Sequence, residues 1–256
     1  MTEAIQEKEV QSPETASEQS ALNQTTDGQA TENANIEELT IVVVAKGLNP
    51  ESFTPDFLVH SGIIPADWVL AQKPVVNPQV AKITFQNGVS LVAQPNKVTF
   101  SESVGTKTDD DLIIAELATK YVEVMPQANY TAIGINPQKV EVFNNKPQDV
   151  QTFMTQSLLQ PGAWQEIGTQ PMRASLKLFY QFEKCNLQLD LTPTELRLPD
   201  DVRVPGLLFS GNFHYEFSSE DAQIRKQELS DALSQWKTHL SEYRTLVAEK
   251  FLSFSR

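Results

Sequence analysis

The stretch with side chains that could do chemistry together is residues 209–217, "FSGNFHYEF". Asn212, His214 and Glu216 stand at every second position, and side chains two residues apart share one face of a β-strand. An amide, an imidazole and a carboxylate in one row could orient a ligand, transfer a proton and stabilise a charge. The same alternation, with aromatic residues on the other face, is typical of an ordinary half-buried strand. We favour the ordinary strand and keep a ligand-binding or catalytic row as the alternative.

The other polar motifs are better explained by structure than by chemistry. No second histidine stands at metal-ligand spacing from His60, His214 or His239, and no glycine-rich loop offers a phosphate cradle. The acidic run 109–111 could bind a divalent cation, but it follows Thr108 at a predicted helix start, where carboxylates cap free amides. We therefore expect neither a metal site nor a cofactor.

Composition limits the classes of partner. The net charge is −13 over 256 residues, which disfavours binding to nucleic acid or to an anionic membrane surface. The lone Cys185 excludes an internal disulfide, and no apolar run is long enough to span a bilayer. The first residues lack the apolar stretch of a signal peptide. These features predict a cytoplasmic protein that does not associate with membranes.

Residues 1–35 differ from the rest of the chain. They contain seven acids against Lys8 alone, and they lack aromatic residues. A segment of this kind buries too little apolar surface to offset its ordering entropy, so we predict a disordered acidic leader. A solubilising role is the favoured interpretation, and an acidic interaction tail is the alternative.

Three blocks of the chain recur in the same order, which indicates an internal duplication. The blocks "GLNP", "FLVHSGIIPADW" and "VSLVAQPNKVTF" match "GINP", "FMTQSLLQPGAW" and "LQLDLTPTELRL" further along. Trp68 and Trp164 occupy one position in the two copies and are expected to be matched core anchors, with ligand platforms as the alternative. We predict that residues 36–256 form a single globular domain made of two pseudo-repeats, 39–125 and 129–252.

Each copy predicts the order strand, helix, antiparallel strands, helix, and hence an α+β fold. This order resembles the repeat of the TATA-binding-protein-like fold, which implies one curved antiparallel sheet covered by helices. The strands lack the excess of Lys and Arg that nucleic-acid binding by that family requires. The segments "NPESFTPDFLVHSGIIPADW" and "ITFQNGVSLVAQPNKVTF" also resemble an uncharacterised cyanobacterial protein family. That resemblance implies no activity and no site residues.

The helix predicted over residues 220–252 is long for a domain of this size. At about 1.5 Å per residue it would reach roughly 50 Å, whereas the domain should be about 35–40 Å across. We therefore expect its end to extend past the sheet and to form an interaction surface from Leu240, Tyr243, Val247, Phe251 and Phe254. Packing of this entire apolar seam within the domain is the alternative.

These features together predict a non-enzymatic interaction or assembly protein. It would bind a protein partner, or a second copy of itself, through the C-terminal helix. The alternative is a small-molecule-binding or catalytic protein that uses the concave face of the sheet, with Asn212, His214 and Glu216 on it. Nucleic-acid binding by analogy with the TATA-binding-protein-like fold is the less favoured alternative.

Overall fold

The chain folds as a mixed α+β protein, seen in a computed structural model. The structure describes residues 36–143, 147–197 and 202–255, so the predicted leader at 1–35 lies outside the described residues. Within these ranges, nine strands form one antiparallel sheet and five α-helices pack with it. The two edge strands of the sheet do not pair with each other, so the sheet stays open.

The bounds of the strands and helices are as follows. The strands are β1 (Ile36–Lys46), β2 (Val75–Val76), β3 (Ala81–Thr84), β4 (Val89–Gln94), β5 (Lys97–Ser103), β6 (Asn129–Val142), β7 (Leu176–Gln181), β8 (Asn186–Arg197) and β9 (Arg203–Glu216). The helices are α1 (Pro55–His60), α2 (Ile114–Val124), α3 (Pro147–Thr152), α4 (Ala222–Ser234) and α5 (Trp236–Thr245). None of the helices in the described residues is both long enough and apolar enough to cross a membrane.

The two longest-range strand pairings lie at the centre of the sheet. The strand order is β2-β3-β4-β5-β1-β6-β9-β8-β7, and every neighbouring pair is antiparallel. The apolar run of β1 pairs with β6 so that Ile41 faces Ile135 and Val43 faces Ile133. These β-branched side chains are fully buried, and they anchor the middle of the hydrophobic core.

Side chains alternate between two faces of the sheet, as the period of a strand requires. The core face carries the buried residues, such as Leu91, Phe100, Ile41 and Phe213. The helices contact this face, because Tyr121 of α2 packs against Phe100 and α5 packs against β9. We call the opposite side, whose side chains remain partly exposed in β1, β4 and β5, the open face.

The sequence signals locate α1 correctly and α2 with an offset. Thr54 caps α1 by accepting from the Phe57 amide, and Pro55 is the first helical residue. The predicted capping box of Thr108 and Asp111 forms, but it closes only a single 3₁₀ turn, and α2 begins at Ile114. The prediction that α2 starts directly after Thr108 is therefore wrong.

A buried carboxylate from a neighbouring strand caps α2. Glu102 of β5 is fully buried, and its Oε2 accepts from the amides of Ile113 (2.8 Å) and Ile114 (3.2 Å). Its Oε1 accepts from Lys107 Nζ at 2.7 Å. A negative charge at a helix N-terminus is favourable, and here it also satisfies two amides that the helix itself leaves free. Glu102 thus joins β5, the following loop and α2.

The C-terminal helical region is broken, so the prediction of one helix over residues 220–252 is wrong. Gln235 separates α4 from α5, and a π-helical stretch (Leu246–Phe251) and a 3₁₀ turn (Leu252–Ser255) follow α5. Changes of helical period rotate successive side chains around the axis. In this way each segment contributes apolar side chains to the core: Leu229, Leu233, Leu240, Tyr243, Val247 and Phe251.

The expected overhang of the C-terminal seam is also contradicted by burial. The first four residues of the predicted interaction surface lie in the core of their own chain: Leu240, Tyr243, Val247 and Phe251. The Tyr243 hydroxyl donates to the Phe209 carbonyl at 2.8 Å, and the Phe251 ring packs on the Phe209 ring. The Phe254 side chain lies outside the described residues. A seam that is buried against its own sheet presents no free surface.

Two further expectations fail for local reasons. Trp68 is half-buried against Phe85, with ring centroids 4.9 Å apart, whereas Trp164 is 51% exposed and is not a core anchor. The alternation of apolar residues and Pro193 predict separate strands at 186–192 and 195–198. In the structure β8 runs through Pro193 as one strand paired with β9. On the other side of β8, the pairing with β7 extends only to Leu191. The missing N–H group of Pro193 therefore costs no hydrogen bond to β7.

The tyrosines predict a loss of stability at alkaline pH. Burial raises the pKa of Tyr121 from 10.0 to about 12, and it also raises the pKa of Tyr130, Tyr215 and Tyr243. A raised phenol pKa stabilises the fold fully below pH 10, and this contribution is lost as the pH rises through the folded pKa. For Tyr121 the loss amounts to about 2–3 kcal/mol.

Denaturant titrations between pH 8 and pH 12, with phenolate absorbance recorded in parallel, would measure this loss. We expect phenolate formation to coincide with unfolding above pH 10. Tyrosines that ionise near their ordinary pKa while the protein stays folded would contradict the prediction.

Candidate functional site

The predicted polar row lies on the open face of β9. His214 stands across from Gly134 of β6 on one side and across from Asn186 of β8 on the other. His214 Nε2 and Glu216 Oε1 are 3.3 Å apart, with the His214 side chain 38% and the Glu216 side chain 81% exposed. A pair this exposed is screened by water, so it supplies little electrostatic energy for chemistry.

Asn212 is placed differently from its two neighbours. A Cβ at residue 134 would lie 3.0 Å from Asn212 Oδ1 and 3.2 Å from Asn136 Nδ2, so the glycine makes room for both amides above β6. The Asn212 Oδ1 atom is shielded from solvent and has no hydrogen-bond partner among the described residues. The three predicted residues therefore do not form one site. His214 and Glu216 are an exposed pair, whereas the Asn212 amide is packed against β6.

A longer polar row crosses the open face at right angles to the strands. Cross-strand pairing places uncharged polar side chains opposite one another from β3 to β8: Thr84, Ser90, Ser101, Thr40, Asn136, Asn212 and Gln188. Ile135 faces Phe213, so the residues next to them, Asn136 and Asn212, also face each other. We call these seven residues the central row.

Hydrogen bonds within the central row leave capacity for a partner. The hydroxyls of Thr40 and Ser101 are 2.8 Å apart, and Asn136 Nδ2 donates to the Thr40 carbonyl at 3.4 Å. The Thr40 hydroxyl also donates to Glu38 Oε1 at 3.0 Å, and Gln188 Nε2 donates to Asp190 Oδ2 at 2.8 Å. Hydroxyls and amides both donate and accept, so Ser90, Ser101 and Asn136 keep hydrogen-bonding capacity for a partner. Val42 and Val92, in the adjacent row, add apolar surface.

Charged side chains border the central row rather than interrupt it. They are Lys82 of β3, Lys97 of β5, Glu38 of β1, Asp190 of β8 and Glu216 of β9. The middle of the open face is therefore uncharged, and its margin is charged.

The sequence interpretation missed a buried cluster around His239. The spacing of Trp236, Leu240 and Tyr243 predicts an apolar stripe with His239 at or beyond its edge. In the structure this histidine is only 6% exposed and stacks on Phe213 at 4.1 Å. Its Nδ1 lies 2.9 Å from Glu242 Oε2, and its Nε2 lies 2.6 Å from the Tyr215 hydroxyl. A carboxylate only accepts, so Nδ1 carries the proton and, in the neutral ring, Nε2 accepts from Tyr215.

Cys185 completes this cluster, which has the residue types of a cysteine–histidine–glutamate triad. Its Sγ lies 4.0 Å from His239 Nε2, farther than the Tyr215 hydroxyl, which already occupies that nitrogen. Burial raises the pKa of the thiol, and burial also raises the pKa of Tyr215. A nucleophilic thiol needs the opposite shift. The cluster is therefore a hydrogen-bonded core network, and the i, i+3 spacing of His239 and Glu242 is its only sequence signal.

Two clefts formed by described residues have neither His214 nor His239 in their lining. A cleft of about 780 Å³ is formed by α3, the loop before β7 and the ends of β8 and β9, with Arg173 and Glu195 among its lining residues. A smaller one of about 300 Å³ adjoins it at Gln151 and Pro171. No group of three or more His, Cys, Asp and Glu among the described residues is arranged to hold a metal ion.

No protein-family model matches the chain, and no curated protein matches it at a significant level. The candidate site is therefore defined by geometry alone. The resemblances to the TATA-binding-protein-like fold and to the cyanobacterial family stay predictions and contribute no residue to it.

Proposed function

We propose that the protein is a non-enzymatic interaction protein that binds another protein through the open face of its sheet. The observation that carries this function is the central row, an uncharged band across seven strands with charge only at its margin. The feature that this band shares with the centre of an interface between proteins is the depletion of charged side chains. The expected partner is still a protein. The proposed binding surface is now the open face of the sheet instead of the C-terminal helix.

A ligand-binding or catalytic use of the open face has weaker support. The two clefts are elsewhere, and His214 is paired with an exposed carboxylate rather than enclosed with a substrate-sized space. Nucleic-acid binding is disfavoured by the net charge of −13. We place the interaction in the cytoplasm, where a free cysteine such as Cys185 stays reduced.

We also infer that the sheet arose by internal duplication. What supports this inference is the strand order, because β1-β5-β4-β3 and β6-β9-β8-β7 run outwards from the centre in the same sequence. Two of the three matched sequence blocks do not lie in equivalent elements of the two halves. The first block follows β1 but lies inside β6, and the third spans a turn in one copy and a continuous strand in the other. The two halves of a duplicated chain would therefore correspond by strand order, with β1 equivalent to β6, and not by those sequence blocks.

Site-specific photo-crosslinking tests the function. A photoreactive residue at Val42, in the middle of the open face, should form a covalent adduct with one protein in native extract. The same residue at Thr238, which is exposed on α5, is the matched control and should give no such adduct. Introducing Thr40→Lys should reduce the Val42 adduct by about tenfold or more, since an unpaired charge is placed in the interface.

Two results would overturn this function. One is a set of adducts that is the same at Val42 and Thr238, which would indicate non-specific capture. The other is an adduct at Val42 that Thr40→Lys leaves unchanged. Thr238→Lys, which adds the same charge away from the face, should leave the adduct unchanged and serves as the charge control.

A further inference from the structure

The two edges of the sheet are protected to very different degrees. The β2 edge contains only two residues, Val75 and Val76, and prolines stand at 74 and 78 on either side. The β7 edge has six residues without proline, "LKLFYQ", and its Phe179 is 72% exposed. Short strands and prolines are standard ways to prevent edge pairing, so only the β7 edge lacks them.

The hydrogen-bond phase of β7 shows which backbone groups are free. The Phe182 amide donates to the Cys185 carbonyl at 2.9 Å, at the end of the β7–β8 ladder. Hydrogen-bonded pairs recur at every second residue of an antiparallel ladder, so even-numbered residues of β7 bond to β8. Lys177, Phe179 and Gln181 therefore direct their N–H and C=O groups away from β8. In the described part of the sheet, β7 pairs with no strand other than β8.

We propose that two copies of this chain pair through β7, antiparallel and about a two-fold axis, to form one continuous eighteen-stranded sheet. Phe179 then faces the partner's Phe179, and Lys177 faces the partner's Gln181. This register pairs all three outward residues and makes six backbone hydrogen bonds. A shift by two residues in either direction pairs only two of them and makes four.

The side chains agree with this register. The two Phe179 rings lie on the same face and cover each other, which removes the largest exposed aromatic surface of the strand from water. Lys177 has an amide opposite it instead of another lysine, so no like charges oppose each other. A second copy thus supplies both the hydrogen bonds and the apolar contact that β7 lacks. The pairing uses the free backbone groups of β7, and the Phe179 side chain stands beside Gln188 on the open face, at the end of the central row. The pairing does not depend on the function proposed for that row.

Sedimentation equilibrium of the full chain tests the pairing. We expect the mass at about 100 µM to be twice the 28.6 kDa of the chain and to fall on dilution, as for a small interface. Phe179→Pro removes an N–H that β8 does not use and should weaken the dimer about 100-fold. Phe179→Lys, which places like charges across the axis, should weaken it to a similar extent. Ile167→Lys is the control: it changes an equally exposed apolar residue in a loop and should leave the dissociation constant within about twofold.

Cysteine crosslinking tests the register. Residues in a hydrogen-bonded pair have Cα atoms about 5.5 Å apart, within the span of a disulfide, so Phe179→Cys should form a covalent dimer under mild oxidation. The two copies of residue 181 would be about 14 Å apart along the strands, so Gln181→Cys should not. Wild-type Cys185 is buried and serves as the background.

Three outcomes would overturn the pairing. They are a wild-type chain that stays monomeric at every concentration, a dimer that survives Phe179→Lys, and crosslinking of Gln181→Cys as fast as of Phe179→Cys. Far-ultraviolet circular dichroism confirms that each variant is folded. Should Phe179→Pro fail to fold, Phe179→Lys and the cysteine variants decide the matter.

Discussion

Replacing Glu102 with alanine is expected to lower the free energy of unfolding by about 3–5 kcal/mol. The carboxylate is fully buried, and it accepts from Lys107 and from the amides of Ile113 and Ile114. Its removal leaves two amides at the start of α2 without an acceptor and an ammonium without its counter-charge. Each group then keeps the cost of its desolvation and loses the interaction that offset it.

The matched control is Glu116→Ala. Glu116 forms an ion pair with Lys120 at a similar distance, 2.7 Å, but its side chain is 63% exposed. Exposed i, i+4 pairs contribute only about 0.3–0.5 kcal/mol. Chemical denaturation of both variants would measure the two values side by side. Equal losses would show that Glu102 is solvated in solution and does not cap α2.

Replacing His239 with alanine is expected to cost about 3 kcal/mol of stability. About 1–3 kcal/mol comes from leaving the buried Tyr215 hydroxyl without its acceptor, and the rest from the lost contact with Phe213. His239→Phe keeps a ring on Phe213 and loses only the polar partners, so its cost should be about half. Thermal and chemical denaturation would separate the two contributions.

His214→Ala provides the control for this prediction. It removes the same side chain from the open face, where it is partly exposed and pairs with the exposed Glu216, so the change in stability should stay within about 0.5 kcal/mol. A large loss at His214 together with a small one at His239 would reverse the assignment of which histidine belongs to the core. A loss of binding or activity in His214→Ala at unchanged stability would restore the ligand-binding row.

The elements whose signals are local could be predicted from the sequence. The alternation of apolar residues along β4, β5 and β9 can be recognised in the sequence itself, because the period of two depends only on neighbouring residues. Thr54 and Pro55 located the start of α1, because a cap bonds to amides within its own first turn. The class of the fold, a mixed α+β protein with an antiparallel sheet, follows from the order of such elements.

Long-range packing decided what the sequence interpretation missed. The heptad-like spacing after residue 229 predicts an apolar seam equally well for an overhanging helix and for a buried one. The break at Gln235 and the π-helical stretch Leu246–Phe251 decided for burial, because they let each segment follow the sheet. The same packing buried His239 against β9 and removed it from the exposed edge.

The sequence by itself determined which side chains of each strand share a face, since that depends on a period of two along one segment. Only the tertiary structure decided which strands lie side by side and in what register. The central row depends on this register, because Thr40, Asn136 and Gln188 come from strands far apart in the chain. The capping of α2 by Glu102 depends on it too, since the carboxylate and the amides it accepts from belong to different elements. Turn geometry sets the register within a hairpin, whereas the register between strands far apart in the chain depends on how their apolar faces fit together in the core.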